Sequence, residues 1–263
     1  MDSLRLKWYG TATIILEQNG TSLLFDPFLP LSDKVFQPSI DEFSATDGIF
    51  VTHCHFDHTS AIPVVLEQSG NTLKVYGTKK THDILISKGI DSSRICCITP
   101  GDTINIGPFE VRVVKSKHIV FSIGLIMRTL FNTRVLRYWS ILIEILTAKE
   151  NREHDTETVI FEINVYNKRV LLLGSLNLDA ETEYATGADL LILPFQGHSD
   201  LCSYAMPIVS RLKPAKILLD HYDDTFPPFT TPISTERFIS LMRKEHPSIP
   251  VICAKASADW IDI

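Results

Sequence analysis

Up to Lys115 the apolar positions come in short runs separated by turn-forming residues, the pattern of a strand-rich segment. Residues 4–8, 13–17 and 22–25 read as strands, and Asn19-Gly20 between the second and third is a two-residue hairpin signal, because both positions tolerate φ > 0. Asp26-Pro27 closes the third strand, since proline has no amide to donate. Residues 48–52 form a further apolar strand that runs directly into a group of histidines. Helical spacing over 59–70 stops at Gly70, a glycine suited to a helix C-terminus. A strand over 74–77, a helix over 79–89 and strands over 94–99, 103–106 and 109–115 follow.

The stretch 119–156 differs in character. Residues 119–127 are nearly all apolar, and Leu130, Phe131, Val135, Tyr138, Trp139, Leu142, Ile145 and Leu146 recur at helical spacing with Arg128, Arg134 and Arg137 among them. Strands resume at 158–165 and 169–173, joined by Asn167-Lys168. Residues 190–193 and 216–219 read as buried strands flanking a helix over 201–212, and a helix over 235–246 precedes a last strand at 251–254. Strands dominate early and strand-helix alternation dominates late. No Gly/Ser linker divides the chain. The expectation is one α/β domain spanning 1–263, with mixed sheets covered by helices and 119–156 as an apolar helical insertion.

The 263 residues are 44% hydrophobic and 21% charged, which excludes a disordered tail or a disulfide knot and suits a globular chain with a large core. The net charge of −6 lacks the positive field that a nucleic-acid partner requires. Five cysteines, of which only Cys96 and Cys97 are close together, suit a reducing compartment. The start carries no basic stretch followed by an apolar one, so a secretory signal is not expected. No apolar run is long enough to span a bilayer. These features point to the cytoplasm.

Candidate chemistry concentrates in His53-Cys54-His55-Phe56-Asp57-His58 at the end of an apolar strand. In extended backbone, residues i and i+2 point the same way, so His53 and His55 can reach one metal together. Asp57 and His58 come after the chain turns and can face a second. Imidazole and carboxylate donors suit zinc, iron or manganese. The alternative is a solvated loop, which such clustering among nine histidines disfavours. Cys54, between the two ligands, points away and reads as core. His82, His154 and His246 lie in polar surroundings and read as solvated.

His-X-His-X-Asp-His after a strand resembles the signature of the metallo-β-lactamase superfamily. Trp8-Tyr9-Gly10-Thr11-Ala12, Leu23-Leu24-Phe25-Asp26-Pro27-Phe28, Lys213-Pro214-Ala215-Lys216 and Asp220-His221-Tyr222-Asp223-Asp224 are similar to its ascorbate-6-phosphate-lactonase-like branch of metal-dependent hydrolases. The resemblance covers nearly the whole chain except the insertion. It implies a four-layer αβ/βα sandwich (the metallo-β-lactamase fold), with one or two divalent ions at one edge. It also implies His118 as third ligand of the first metal, His221 as late ligand of the second, and Asp26 as a residue that supports the ligands by hydrogen bonding.

One position departs from the family pattern, in which a Gly-Asp pair follows an apolar strand and its aspartate bridges both metals. Here the pair is Gly174-Ser175. A neutral hydroxyl leaves one negative charge missing between two dications, so the expectation is a well-formed His53/His55/His118 site and a weakened Asp57/His58/His221 site. Asp179 is the candidate replacement, ranked below a plain vacancy. The resemblance implies hydrolysis of a lactone or phosphodiester by a metal-activated water, with Asp57 as the catalytic residue that orients the water and moves a proton. The alternative is a degenerate member that binds metal or ligand and acts through a partner. His198, in a loop after a buried strand, is a candidate substrate contact or a surface residue at a helix start. The insertion reads as packing, as a homo-oligomer interface through 119–150, as a lid over a small-molecule substrate, or as an amphipathic segment docking to a membrane surface.

Overall fold

A computed structural model describes residues 3–120, 133–139, 143, 157–227, 230–257 and 259–263. Among these, two seven-stranded sheets carry the architecture. The first contains β1 (Arg5–Trp8), β2 (Ile14–Gln18), β3 (Thr21–Phe25), β4 (Gly48–Phe50), β5 (Val75–Gly77), β6 (Ile95–Cys97) and β14 (Ile261–Asp262), in the order β14-β1-β2-β3-β4-β5-β6. The second contains β7 (Thr103–Ile106), β8 (Phe109–Lys115), β9 (Val159–Val165), β10 (Lys168–Leu173), β11 (Leu190–Pro194), β12 (Ile217–Asp220) and β13 (Val251–Ile252), in the order β13-β12-β11-β10-β9-β8-β7. Each sheet is half antiparallel and half parallel: β3 to β6 run parallel, as do β10 to β13.

The period-two pattern decides which face is shared. Phe161, Ile163 and Val165 of β9 point with Val170 and Leu172 of β10 towards Leu16, Leu23, Phe25 and Phe50 of the other sheet. Phe161 packs against Phe25 and Phe50, with ring centroids 5.8 and 5.4 Å away, and its truncation to alanine costs ~3–5 kcal/mol. The outer faces are covered by helices. On the first sheet, Phe43 of α1 (Ile40–Ser44), Ile62, Val65 and Leu66 of α3 (Ile62–Gln68), and Leu85 of α4 (Lys79–Ser87) close the layer; α2 (Phe56–Thr59) precedes α3. On the second, Ala205, Ile208 and Val209 of α5 (Leu201–Leu212) and Phe238 and Met242 of α6 (Glu236–Glu245) do so. The four-layer αβ/βα expectation is met.

The Asn19-Gly20 hairpin forms with φ of +52° and +80°, pairing Gln18 with Thr21. Two local readings are corrected. The helix read over 59–70 is shorter, Ile62–Gln68, and is capped at Ser69 rather than at Gly70: Thr59 closes α2, and Pro63 sits in the first turn of α3, where its missing amide starts a helix more easily than it continues one. The β9–β10 turn lies at Tyr166-Asn167, one residue earlier than read, with Tyr166 at φ +52°. Helix α1 and strand β14 carry no periodic signal of their own. Most of the insertion, including His154, lies outside the described residues. Within it, Thr133–Leu136 form a 3-10 turn. Val135 and Tyr138 are buried, while Trp139, read with them as one apolar stripe, is exposed. No described helix is long and apolar enough to cross a membrane.

Candidate metal centre

The strands that deliver site residues end on one edge. β3 ends at Asp26, whose carboxylate is fully buried and whose backbone is left-handed at φ +46°. β4 ends beside it, and the amide of Thr52 donates to Asp26 Oδ1 at 2.8 Å while Thr52 Oγ1 donates to Asp26 Oδ2 at 2.7 Å. The chain stays extended through His55 and then enters α2, which presents Asp57 and His58. β8 leads to His118, β10 to Gly174-Ser175, and β12 to His221.

Two groups of ligand atoms result. His53, His55 and His118 bring their donor atoms within 4.8 Å of one another, as do Asp57, His58 and His221. The ring centroid of His118 lies 4.9 Å from that of His53 and 4.6 Å from that of His55. The two groups adjoin through His53 and His58, 4.0 Å apart.

Hydrogen-bond partners fix the tautomers. Thr52 Oγ1 gives its only proton to Asp26, so at 3.1 Å it accepts from His53 Nδ1, leaving His53 Nε2 with a lone pair. His118 Nδ1 donates to the Ile119 carbonyl at 2.6 Å, which likewise leaves its Nε2 as an acceptor. His53 Nε2 faces His55 Nδ1 at 3.1 Å. Converging nitrogen lone pairs are the geometry a cation satisfies. Burial, reinforced by mutual repulsion among the imidazoles, holds His53 well below its ordinary range, His55 at about 3 and His118 at about 4. The three rings are therefore neutral donors at neutral pH, a set that fits a zinc-like ion.

The second pocket is organised differently. His58 Nδ1 lies 3.0 Å from Asp26 Oδ2, an outer carboxylate that sets the tautomer and aims Nε2 inward. Asp57 Oδ2 is 3.2 Å from His221 Nε2 and 3.8 Å from His58 Nε2. Burial would raise the Asp57 carboxyl, but those two imidazoles outweigh it and keep it ionised well below the usual range. His221 moves up, because the charge and hydrogen bond of Asp57 overcome its burial. Among the described residues, His221 Nδ1 and Asp220 Oδ1 are buried without a hydrogen-bond partner. One carboxylate and two imidazoles fit a divalent ion, with less negative charge than a bridged pair would have.

A family model described as a beta-lactamase superfamily domain matches residues 21–222, the span that holds every one of these donors. The chain belongs to the beta-lactamase superfamily. Among curated relatives, a UPF0173 protein of Pyrococcus abyssi is 29% identical over 117 residues, 44% of this chain and 50% of the relative. A UPF0173 metal-dependent hydrolase of Azorhizobium caulinodans is 29% identical over 119 residues, 44% and 49% of the two chains. The chain thus spans about half the length of the curated relatives it matches. Igni18, a metallo hydrolase from Ignicoccus hospitalis, superposes with a TM-score of 0.69 at 17% identity, covering 100% of both chains. That likeness shows the fold.

The remaining site expectations separate. Gly174 packs on Thr52 so closely that a Cβ would lie 2.8 Å from Thr52 Cγ2 and closer still to Oγ1 and Cβ. Ser175 is buried, and its Oγ accepts from the Ile119 amide at 2.9 Å, so it ties down the loop that carries His118. Asp179 does not replace the absent aspartate: its carboxylate accepts from Thr182 Oγ1 at 2.9 Å and the Glu181 amide at 3.1 Å and pairs with Lys115 at 3.1 Å. His198 Nδ1 accepts from the Asp200 amide at 3.0 Å, and its ring lies 4.6 Å from that of Tyr204. Cys54 is buried. Thr52 escaped sequence reasoning, and only its place between Asp26 and His53 could have flagged it.

Proposed function

We propose that this chain is a metal-dependent hydrolase in which His53, His55 and His118 hold one divalent ion tightly and Asp57, His58 and His221 hold a second one weakly. A bound ion of this kind supplies a hydroxide source by lowering the pKa of its water towards about 7 and polarises the oxygen of the bond to be broken. The chain's own residues supply the rest. Asp57, kept ionised by the imidazoles of His58 and His221, orients a water by accepting a hydrogen bond from it. Asp26 and Thr52 keep His58 and His53 in the tautomers that leave lone pairs facing inward. Zinc, manganese and iron are the candidate ions, and a lactone or phosphodiester is the candidate substrate class, taken from the branch resemblance.

The observation that carries this reading is the arrival of His118, from another sheet, beside His53 and His55 with its Nδ1 already engaged outward. A second reading draws on Ser175: without a bridging carboxylate, the chain binds an ion but turns nothing over and acts through a partner. The test is metal analysis of protein purified without added ions, followed by assays on bis(p-nitrophenyl) phosphate and a γ-lactone with zinc or manganese added. One ion per chain and turnover that is lost in His118→Ala are expected. Two stoichiometric ions in the purified protein, or His118→Ala with unchanged metal content, overturn the assignment of the sites. Absence of turnover on both substrates favours the binding-only reading.

A further inference from the structure

Two non-glycine residues with left-handed backbone meet behind the second pocket. His221 has φ +62° and Thr11 has φ +47°, conformations that persist only where the surroundings fix them. The His221 amide donates to the Thr11 carbonyl at 2.9 Å. The Thr11 amide donates in turn to both carboxylate oxygens of Asp223, at 3.2 and 3.1 Å. Thr225 Oγ1 donates to Asp223 Oδ1 at 2.9 Å and meets Thr11 Oγ1 in a further hydrogen bond. Trp8 Nε1 donates to the same Thr11 carbonyl at 2.8 Å, and its ring stacks on Tyr222 at 5.1 Å. Gly10, at φ +104°, passes so near that a Cβ would stand 2.6 Å from Asp223 Oδ2 and 2.5 Å from Thr225 Cγ2.

This closed circuit joins the opening turn of the chain to the turn that carries His221. Asp223 touches none of the pocket's donor atoms through a hydrogen bond, yet it accepts from the one residue whose carbonyl holds the His221 amide. We propose that Asp223 is a positioning residue: acting through Thr11, it holds the His221 backbone in the left-handed turn that aims Nε2 at Asp57. The inference rests on the reading of Asp57, His58 and His221 as a pocket for a divalent cation, and it adds the device that decides how well that pocket holds its ion.

The experiment titrates metal-free wild type, Asp223→Ala, Asp223→Asn, Thr225→Val and His221→Ala with cobalt(II), reading the visible spectrum of each equivalent together with thermal unfolding. Wild type takes a tight and a weaker equivalent. Asp223→Ala weakens the second by about tenfold or more while leaving the first within about twofold, the scale typical of lost outer contacts in metal sites. Asp223→Asn, which keeps one oxygen to accept from the Thr11 amide, restores the second equivalent to within about threefold. Thr225→Val weakens it by less than Asp223→Ala and carries the test if that variant does not fold. A second equivalent unchanged in Asp223→Ala or, failing that, in Thr225→Val overturns the proposal, as does a parallel fall in both equivalents. A wild type without a second equivalent, or a His221→Ala that keeps it, overturns instead the reading of the pocket.

Discussion

Gly174→Ala tests how closely the second sheet must approach the metal strand. The added Cβ would fall inside the envelope of Thr52 Oγ1 and Cβ and 2.8 Å from Cγ2. Thr52 is fully buried, and its two hydrogen bonds to Asp26, at 2.8 and 2.7 Å, pin it from the other side. Overpacking a tight core costs ~1–3 kcal/mol, and displacing Thr52 sacrifices at least one bond to a charged group, ~1.5–3 kcal/mol. The variant should lose on the order of 3–5 kcal/mol, a large part of the ~5–15 kcal/mol that holds a domain folded. Because Thr52 Oγ1 also sets the His53 tautomer, zinc affinity should fall by about 10–100-fold. Urea unfolding of the metal-free protein and competitive zinc titration measure the two losses. Thr52→Ala should not rescue the variant, since Thr52 Cβ itself lies in the overlap, whereas Thr52→Gly should relieve the crowding and still lack the Asp26 bond. A Gly174→Ala protein within about 1 kcal/mol of wild type, with unchanged zinc affinity, refutes the reasoning.

The other expectations are shorter. His118→Gln should change the acid sensitivity of the metal-free fold. The folded imidazole stays neutral down to about pH 4, whereas the unfolded one protonates from about 6.5, so its contribution is present above 6.5 and drains away as pH falls towards 4. Relative to wild type the variant should gain about 1.4 kcal/mol per pH unit lowered within that window, read from urea midpoints at pH 7, 6 and 5; parallel profiles would count against it. Asp26→Asn should weaken the second ion by about 10–100-fold through His58, and a cobalt titration that matches wild type refutes this role. Ser175→Asp buries a carboxylate, so the metal-free variant should be less stable by several kcal/mol (roughly 2–5). Adding zinc or manganese should reverse the loss and bring a second stoichiometric ion, and calorimetry showing only one ion denies Ser175 that part.

What the sequence disclosed follows the range of the contacts involved. His53, His55, Asp57 and His58 were readable because a strand's alternation and one turn place them, all within six residues. His118 and His221 sit in unremarkable local contexts, and only family resemblance marked them. Thr11 and Asp223 carry no local signal of their joint role, since 212 residues separate the partners of that bond. The sheets are legible from period-two runs, and the helix over 59–70 is legible except for its ends, because apolar spacing does not register Pro63 in its first turn. Asp179 lost its candidacy to an ion pair with Lys115 that no spacing rule reveals.

The direction of the strands has a practical corollary. β3, β8 and β10 all run towards the metal edge, so the turns that precede them, at Asn19-Gly20, Gly107-Pro108 and Tyr166-Asn167, lie on the opposite rim, where Asn19 Nδ2 donates to Tyr166 Oη at 2.9 Å. That rim is remote from the chemistry and built of hairpins whose ends are already joined by sheet pairing. An epitope, a fluorophore or an attachment to a solid support can be grafted there, leaving the opposite mouth facing the solution.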